Sequence, residues 1–263
     1  VVHHVWASGE AYDAYMGRWS RRVAAVFVPR LGVPAGRRWL DVDCGTGALT
    51  ATVLAAADPT TVIGIDPSAG FIGCARAQIA DRRAGFGVDE ATSLPLSDAG
   101  LDVVISGLML NFVAEPARAV AEFNRVVTPG GVVAAYVWDY TDGMAMLRHF
   151  WDAAIALDPA AAAVEEGSRF RLCRPEPLRN LWADAGLADA EVEAIEVPTV
   201  FADFEDFWVP FLGGQGPAAG YAMSLLPDHR AALRNLLRHR LPARPDGMIA
   251  LTARAWAVRG RRR

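Results

Sequence analysis

The chain has no lysine: all 26 of its basic residues are arginine. That absence excludes chemistry built on a lysine amine, such as Schiff-base catalysis or an ordinary lysine-bearing phosphate loop. Cysteine is scarce. Cys44, Cys74 and Cys173 are three in number and form no Cys-x-x-Cys pair, so neither a disulfide framework nor a structural zinc site is expected. A reducing compartment suits them better. No apolar run approaches about 18 residues, so no membrane-spanning helix is expected. The first residues lack the basic-then-apolar layout of a signal peptide. A soluble, cytoplasmic protein is the expectation. The net charge is −4 with no basic stripe, which argues against a dedicated nucleic-acid partner.

Apolar residues are what the chain does have. They make up 52% of its 263 residues against 21% charged, enough for a sizeable core. Residues 8 to 31 carry helical spacing, with Val23, Val26 and Phe27 on one face and Pro29 near the end. Strands are predicted at 37–42, 61–66, 84–88, 101–106 and 132–138. Helices are predicted between them at 47–57, at 68–80 behind a Ser68 cap, and at 116–127 with Pro116 in the first turn. Strand–helix alternation of this kind predicts a parallel, doubly wound sheet with right-handed crossovers.

The second half changes character. Residues 142–185 and 202–241 read as helical, the latter interrupted by Gly213-Gly214-Gln215-Gly216-Pro217. Residues 189–201 and 248–258 alternate as strands. The terminal Arg259-Gly260-Arg261-Arg262-Arg263 reads as a frayed, solvated tail.

The most informative stretch is Trp39-Leu40-Asp41-Val42-Asp43-Cys44-Gly45-Thr46-Gly47. An apolar strand ends in an acid, turns tightly through two glycines and opens a helix. Glycines let the backbone approach a ligand, and the helix start presents unpaired N–H groups. A dinucleotide fingerprint would carry a third glycine or alanine where Thr50 stands. A carboxylate at Asp41 would repel a pyrophosphate and attract a cationic amino group, such as the one in the methionine part of S-adenosylmethionine (SAM).

Four further segments follow in order. They are Val62-Ile63-Gly64-Ile65-Asp66-Pro67-Ser68, Glu90-Ala91-Thr92-Ser93-Leu94-Pro95-Leu96, Leu101-Asp102-Val103-Val104-Ile105-Ser106 and Arg125-Val126-Val127-Thr128-Pro129-Gly130-Gly131. With the glycine turn they resemble the class I SAM-dependent methyltransferases over roughly residues 10–138. The likeness is greatest to the small-molecule enzymes of the ubiquinone/menaquinone-biosynthesis type. The resemblance implies an α/β fold: a Rossmann-like doubly wound sheet of seven strands, the last antiparallel, with a helical lid. It divides the chain into an N-terminal helical cap (1–36), a SAM-binding core (37–140) and lid insertions with the last two core strands (141–263).

The same resemblance assigns cofactor-binding roles. Asp41 would hold the methionine amino group, with Asp43, Cys44, Gly45, Thr46 and Gly47 wrapping the methionine part. Asp66, followed by Pro67, would accept from the ribose hydroxyls. Asp89 or Glu90 would accept from the adenine amine, and the Ala91 N–H would donate to the ring. Ser106 and Leu108 would pass beside the methionine part. Arg18 could pair with the methionine carboxylate, and Tyr12 or Trp19 could face the sulfonium.

Asp43 departs from the pattern, which usually has glycine there. Its charge could attract the amino group and sulfonium or repel the carboxylate. No metal is expected, since Asp41-x-Asp43 lacks a third ligand. No catalytic residue stands out. His149 is a candidate base, and Asn111 a group that could orient an acceptor. The aromatics Trp138, Tyr140, Phe150, Trp151, Phe201, Phe204, Phe207, Trp208 and Phe211 either glue the lid to the sheet or line a pocket for an apolar or aromatic small molecule. The alternative functions are a non-catalytic methyltransferase-like binding domain and, further off, an NAD-dependent oxidoreductase. The oligomeric state and the methylated atom are not legible.

Overall fold

A computed structural model describes residues 13–214 and 216–263. Tyr12 lies outside the described residues. Seven strands form one sheet: β1 (Arg38–Val42), β2 (Thr61–Asp66), β3 (Ala84–Val88), β4 (Leu101–Gly107), β5 (Val127–Trp138), β6 (Leu187–Phe201) and β7 (Ile249–Arg262). Their order is β3-β2-β1-β4-β5-β7-β6. The first five run parallel and the last strands antiparallel. Strand order reverses at β1, between β2 and β4, which is where open α/β sheets bind ligands.

The helices are α1 (Arg18–Arg30), α2 (Ala48–Ala56), α3 (Ala69–Gln78), α4 (Pro116–Val126), α5 (Ala145–Leu157), α6 (Glu166–Arg169), α7 (Pro175–Asp184), α8 (Phe204–Trp208), α9 (Gly216–Ser224) and α10 (Pro227–Arg240). A single π turn, Asp13–Gly17, leads into α1. Among the described residues no helix is long and apolar enough to cross a membrane.

The chain divides into two compact units. One comprises Ser20–Val137, Leu172–Ile195 and Ala255–Arg263. Its core joins Leu40 and Val42 of β1, Ile65 of β2, Val104 of β4 and Val133 of β5 to Val120, Phe123 and Val126 of α4 and to Trp182 of α7. The Trp182 indole is wholly buried and donates to the Val133 carbonyl at 3.0 Å, so its polar atom costs nothing there. The cap predicted at Ser68 forms: its Oγ accepts from the Phe71 N–H at 3.3 Å. Pro116 sits in the first turn of α4, where its missing N–H is harmless.

Two expectations are corrected. Strand five begins at Val127, not 132, because Leu101 pairs with Val127 while Val103 pairs with Val132. The Thr128–Gly131 stretch is therefore a bulge within the strand. Gly130 holds φ +75°, and a Cβ on Gly131 would meet the Asp102 carbonyl at 2.7 Å. The arginine tail is also not frayed. β7 continues to Arg262, whose guanidinium donates to the carbonyls of Arg125 and Val127 at 2.7 and 2.6 Å.

The other unit comprises the described residues 13–19, Trp138–Arg171 and Glu196–Arg254. Its core is aromatic. Phe150 stacks on Phe211 with centroids 4.6 Å apart, Phe207 lies against Phe201 and Phe211, and Trp151 meets Phe150 edge-on. Phe150, Phe201, Phe207 and Phe211 have no exposed surface. Phe150, Trp151, Phe201, Phe207 and Phe211 thus pack on one another. Asp139, almost wholly buried, accepts from Arg254 Nε at 2.8 Å and from the N–H groups of Thr141 and Asp142.

Candidate functional site

The glycine loop follows β1 directly. Asp41 is fully buried, and Thr50 of α2 donates to its Oδ2 at 2.7 Å. Its Oδ1 is buried with no hydrogen-bond partner. Burial pushes the Asp41 carboxyl up to about 7, against the opposing pull of Thr50. A buried acceptor without a donor is costly unless a ligand supplies one.

The loop itself is a run of left-handed residues. Asp43, Gly45 and Gly47 hold φ of +61°, +55° and +90°. Aspartate tolerates this region better than most side chains, so the turn survives the missing glycine. Cys44 N–H donates to the Ile65 carbonyl at 2.9 Å, tying the loop to β2. Burial pushes the Cys44 thiol up, so it stays protonated and inert. A Cβ on Gly45 would meet nothing within 4 Å, so the space over the loop is open there, whereas one on Gly47 would meet Ile79 Cδ1 at 2.6 Å.

Asp66 ends β2, 3% exposed. Its Oδ2 accepts from Gly45 N–H at 2.9 Å and its Oδ1 from Ser68 N–H at 2.8 Å, so one carboxylate ties the glycine loop to the start of α3. Asp43 is half-buried. Burial and then the Asp66 charge raise the Asp43 carboxyl well above the usual carboxylate range, and Asp41 and Glu90 push the same way.

The remaining cofactor candidates fall on neighbouring loops. Asp89 N–H donates to the Asp66 carbonyl at 3.3 Å, placing this segment beside the end of β2. Asp89 Oδ1 accepts from Glu90 N–H at 3.0 Å, and the Glu90 residue is exposed. After β4, Ser106 Oγ is buried without a partner, and so are both amide atoms of Asn111. Leu108 holds φ +69°, a conformation rare outside glycine, and its N–H donates to the Tyr136 carbonyl at 2.7 Å.

Sequence reasoning missed two residues that hold the adenine-type loop. Glu122 Oε2 accepts from Leu94 N–H at 2.8 Å. Arg125 donates to the carbonyls of Leu94 and Leu96 at 3.0 and 2.8 Å and pairs with Glu122 at 2.7 Å. Arg125 in turn lowers the Glu122 carboxyl. The signal was an acid and a base three apart on α4, just before the Pro-Gly-Gly turn.

Three candidates belong to the other unit. Arg18 is paired with Asp206 at 2.7 Å, and its guanidinium lies 4.4 Å from the Trp19 ring centroid and 4.9 Å from that of Phe201. Trp19 is 2% exposed, and the cation it faces is Arg18. His149 is half-buried, and burial lowers its pKa, so its ring is neutral near pH 7. Among the described residues no group of three His, Cys, Asp or Glu side chains is arranged to hold a metal ion.

An unpartnered buried carboxylate oxygen, an open glycine loop and a ribose-type acid on the next strand suit a cationic, ribose-bearing cofactor, on a sheet of class I methyltransferase architecture. Comparison with known proteins agrees. Residues 40–135 match the methyltransferase domain family. The chain resembles the class I SAM-dependent methyltransferases and, among them, the ubiquinone/menaquinone-biosynthesis group. It is 27% identical over 197 residues to the ubiquinone/menaquinone biosynthesis C-methyltransferase of Desulfotalea psychrophila, a match covering 70% of this chain and 77% of that one. It is 31% identical over 187 residues to an uncharacterized protein of a transposon in Streptomyces fradiae, covering 65% of this chain and 54% of the other. The chain thus spans about half the length of that relative. In fold it is similar to phosphoethanolamine N-methyltransferase 2 of Haemonchus contortus, solved with phosphomonomethylethanolamine and S-adenosylhomocysteine (SAH). The TM-score is 0.60 at 15% identity, covering 97% of this chain and 57% of that one.

Proposed function

We propose that the protein is a SAM-dependent methyltransferase acting on a small-molecule acceptor. The observation that carries this is the Asp41 carboxylate, fully buried beside the glycine loop with Oδ1 unsatisfied. An ammonium group donates to such an oxygen and also supplies the charge that makes ionised Asp41 tolerable.

The cofactor, when bound, supplies a methyl group already activated by a positive sulfur. The residues then have binding and positioning to do. Asp41 holds the amino group, and the backbone of Asp43, Cys44, Gly45, Thr46 and Gly47 lies along the methionine part. Asp66 keeps free lone pairs for ribose hydroxyls beyond the N–H groups it already accepts. The loop over 89–91, fixed through Leu94 by Glu122 and Arg125, faces the adenine. Ser106 and Asn111 retain unpaired polar atoms for the rest of the cofactor or for an acceptor. In-line displacement at the methyl carbon is the chemistry SAM would supply, and these residues would hold it with its methyl group presented to the acceptor. Holding the acceptor in line accounts for most of the catalysis. The likeness to a quinone-biosynthesis C-methyltransferase favours an aromatic acceptor of quinol type.

Calorimetric titration with SAM and SAH tests the cofactor, and transfer of a labelled methyl group to a naphthoquinol panel tests the acceptor class. Micromolar binding by the native chain, weakened by roughly ten- to a hundredfold in Asp41→Asn, is expected from losing one buried charge-assisted bond. Absence of SAM binding, or a thermal shift with NAD alone, would overturn the assignment.

A further inference from the structure

Two threonines of α2, Thr50 and Thr52, spend their hydroxyls differently. Thr52 donates to the Ala48 carbonyl at 2.9 Å, the backbone contact a helical threonine ordinarily makes. Thr50 Oγ1 is turned instead to β1, where it donates to Asp41 Oδ2 at 2.7 Å. That length falls in the range of hydroxyl bonds to an ionised carboxylate. Neither Thr50 nor Asp41 has exposed surface, so water does not compete for the bond. A dinucleotide-binding turn carries glycine or alanine at the place of Thr50, for close helix–strand packing. Here the same place carries a donor that reaches the strand acid.

An aspartate carboxyl turns easily about its last torsion, and its two oxygens are equivalent until a donor chooses between them. Thr50 makes that choice. It engages Oδ2 and leaves Oδ1 buried with no partner. The geometry follows from the loop: Gly47, at φ +90°, opens α2, and Thr50 lies in the first turn of that helix. We infer, on the reading that this loop binds SAM, that Thr50 is a positioning residue: its hydroxyl fixes the Asp41 carboxylate so that Oδ1 is presented to the amino group of the cofactor. The same bond favours the ionised form that an ammonium group needs. This matters because burial raises the Asp41 carboxyl, and the charges acting on it, Asp66 of β2 and Asp43 of the loop, are acids that do not help it ionise. The Cys44 thiol beside them is neutral. Thr50 supplies the opposing pull.

The test compares SAH with 5′-methylthioadenosine, which keeps the adenosine and the thioether and lacks the amino-acid part. Both ligands are titrated calorimetrically into the native chain, Thr50→Val and Thr50→Ser. Valine keeps the shape of threonine and removes the donor, and serine returns the donor. Thr50→Val should weaken SAH binding near pH 6.5 by about tenfold, the scale of one buried charge-assisted bond, and leave methylthioadenosine binding unchanged. Thr50→Ser should restore most of the SAH affinity. The SAH loss should shrink near pH 8.5, where the Asp41 carboxyl ionises without help. A threonine that only packs the helix would move both ligands together, and by the same factor at either pH. Equal losses for the two ligands, no loss for SAH, or a loss that serine does not repair would refute the inference while leaving the cofactor assignment intact. If Thr50→Val does not fold by circular dichroism, Thr50→Ala, favoured in a helix, carries the same comparison. Failure of the native chain to bind SAH would overturn both.

Discussion

Glu166 is 2% exposed, yet it is an acid in a unit whose core is aromatic. Its Oε2 accepts from the Trp151 indole N–H, and its Oε1 accepts from Ala218 N–H at 3.2 Å in the first turn of α9. Burial raises its carboxyl from 4.5 to about 7, although both hydrogen bonds pull it down. The native state therefore keeps a proton that the unfolded chain has already lost at these pH values. The stabilisation this represents is fully present below about 4.5 and is lost as pH rises through 7. A carboxyl raised from 4.5 to about 7 corresponds to about 3 kcal/mol.

The perturbation is Glu166→Gln, which removes the titration and keeps the shape. The amide must turn its NH2 toward one of two N–H donors, so one bond is lost. That should cost about 1–3 kcal/mol at pH 5. By pH 8.5 the native protein has lost about 3 kcal/mol of its own, and the two stability curves should meet or cross. Urea denaturation followed by circular dichroism at several pH values measures both curves. The subtraction is essential, because Asp41 and Asp43 also have raised pKa values and remain in both proteins. A difference between native and variant that stays constant from pH 5 to 8.5 would refute the reasoning.

Three other changes probe the site and its supports. Glu122→Ala should destabilise by about 1–3 kcal/mol and speed proteolysis near Leu94, because it removes a charge-assisted bond to that N–H and leaves Arg125 only one of its two carboxylate partners, Asp98; an unchanged cleavage rate would show that the loop holds its shape without it. Gly131→Ala should cost about 1–3 kcal/mol in urea denaturation, since the added Cβ lies 2.7–2.8 Å from two backbone carbonyls that cannot move aside cheaply. A double-mutant cycle on Arg18 and Asp206 should give a coupling of up to about 1 kcal/mol. If Arg18 serves only Asp206, Arg18→Ala leaves the calorimetric SAM affinity unchanged, and a tenfold loss would assign it to the ligand as well.

The first five strands and their helices were largely legible because their signals are local. Asp66 ends β2 and Ser68 caps α3 where the sequence placed them, since a strand-ending acid and a serine before an apolar helix act through neighbouring backbone. The start of β5 was not legible. A proline and two glycines read as a turn, and only pairing with β4 makes them a bulge inside a strand. The arginine tail failed for a related reason: a basic run looks solvated until a distant strand offers carbonyls to Arg262. Arg18 and Glu166 depend on partners far away in sequence, Asp206 in one case and Ala218 in the other, which no local pattern displays.

Strand β7 keeps one register across a long path. From Ile249 to Ala257 the odd-numbered residues Ile249, Leu251, Ala253, Ala255 and Ala257 are all buried, and the strand passes from one compact unit into the other between Arg254 and Ala255. Side chains alternate faces with a period of two, so one added residue inverts everything beyond it. An insertion near Thr252, in one unit, would therefore turn Ala255 and Ala257 outward in the other. Only insertions or deletions of residue pairs keep these side chains on their face.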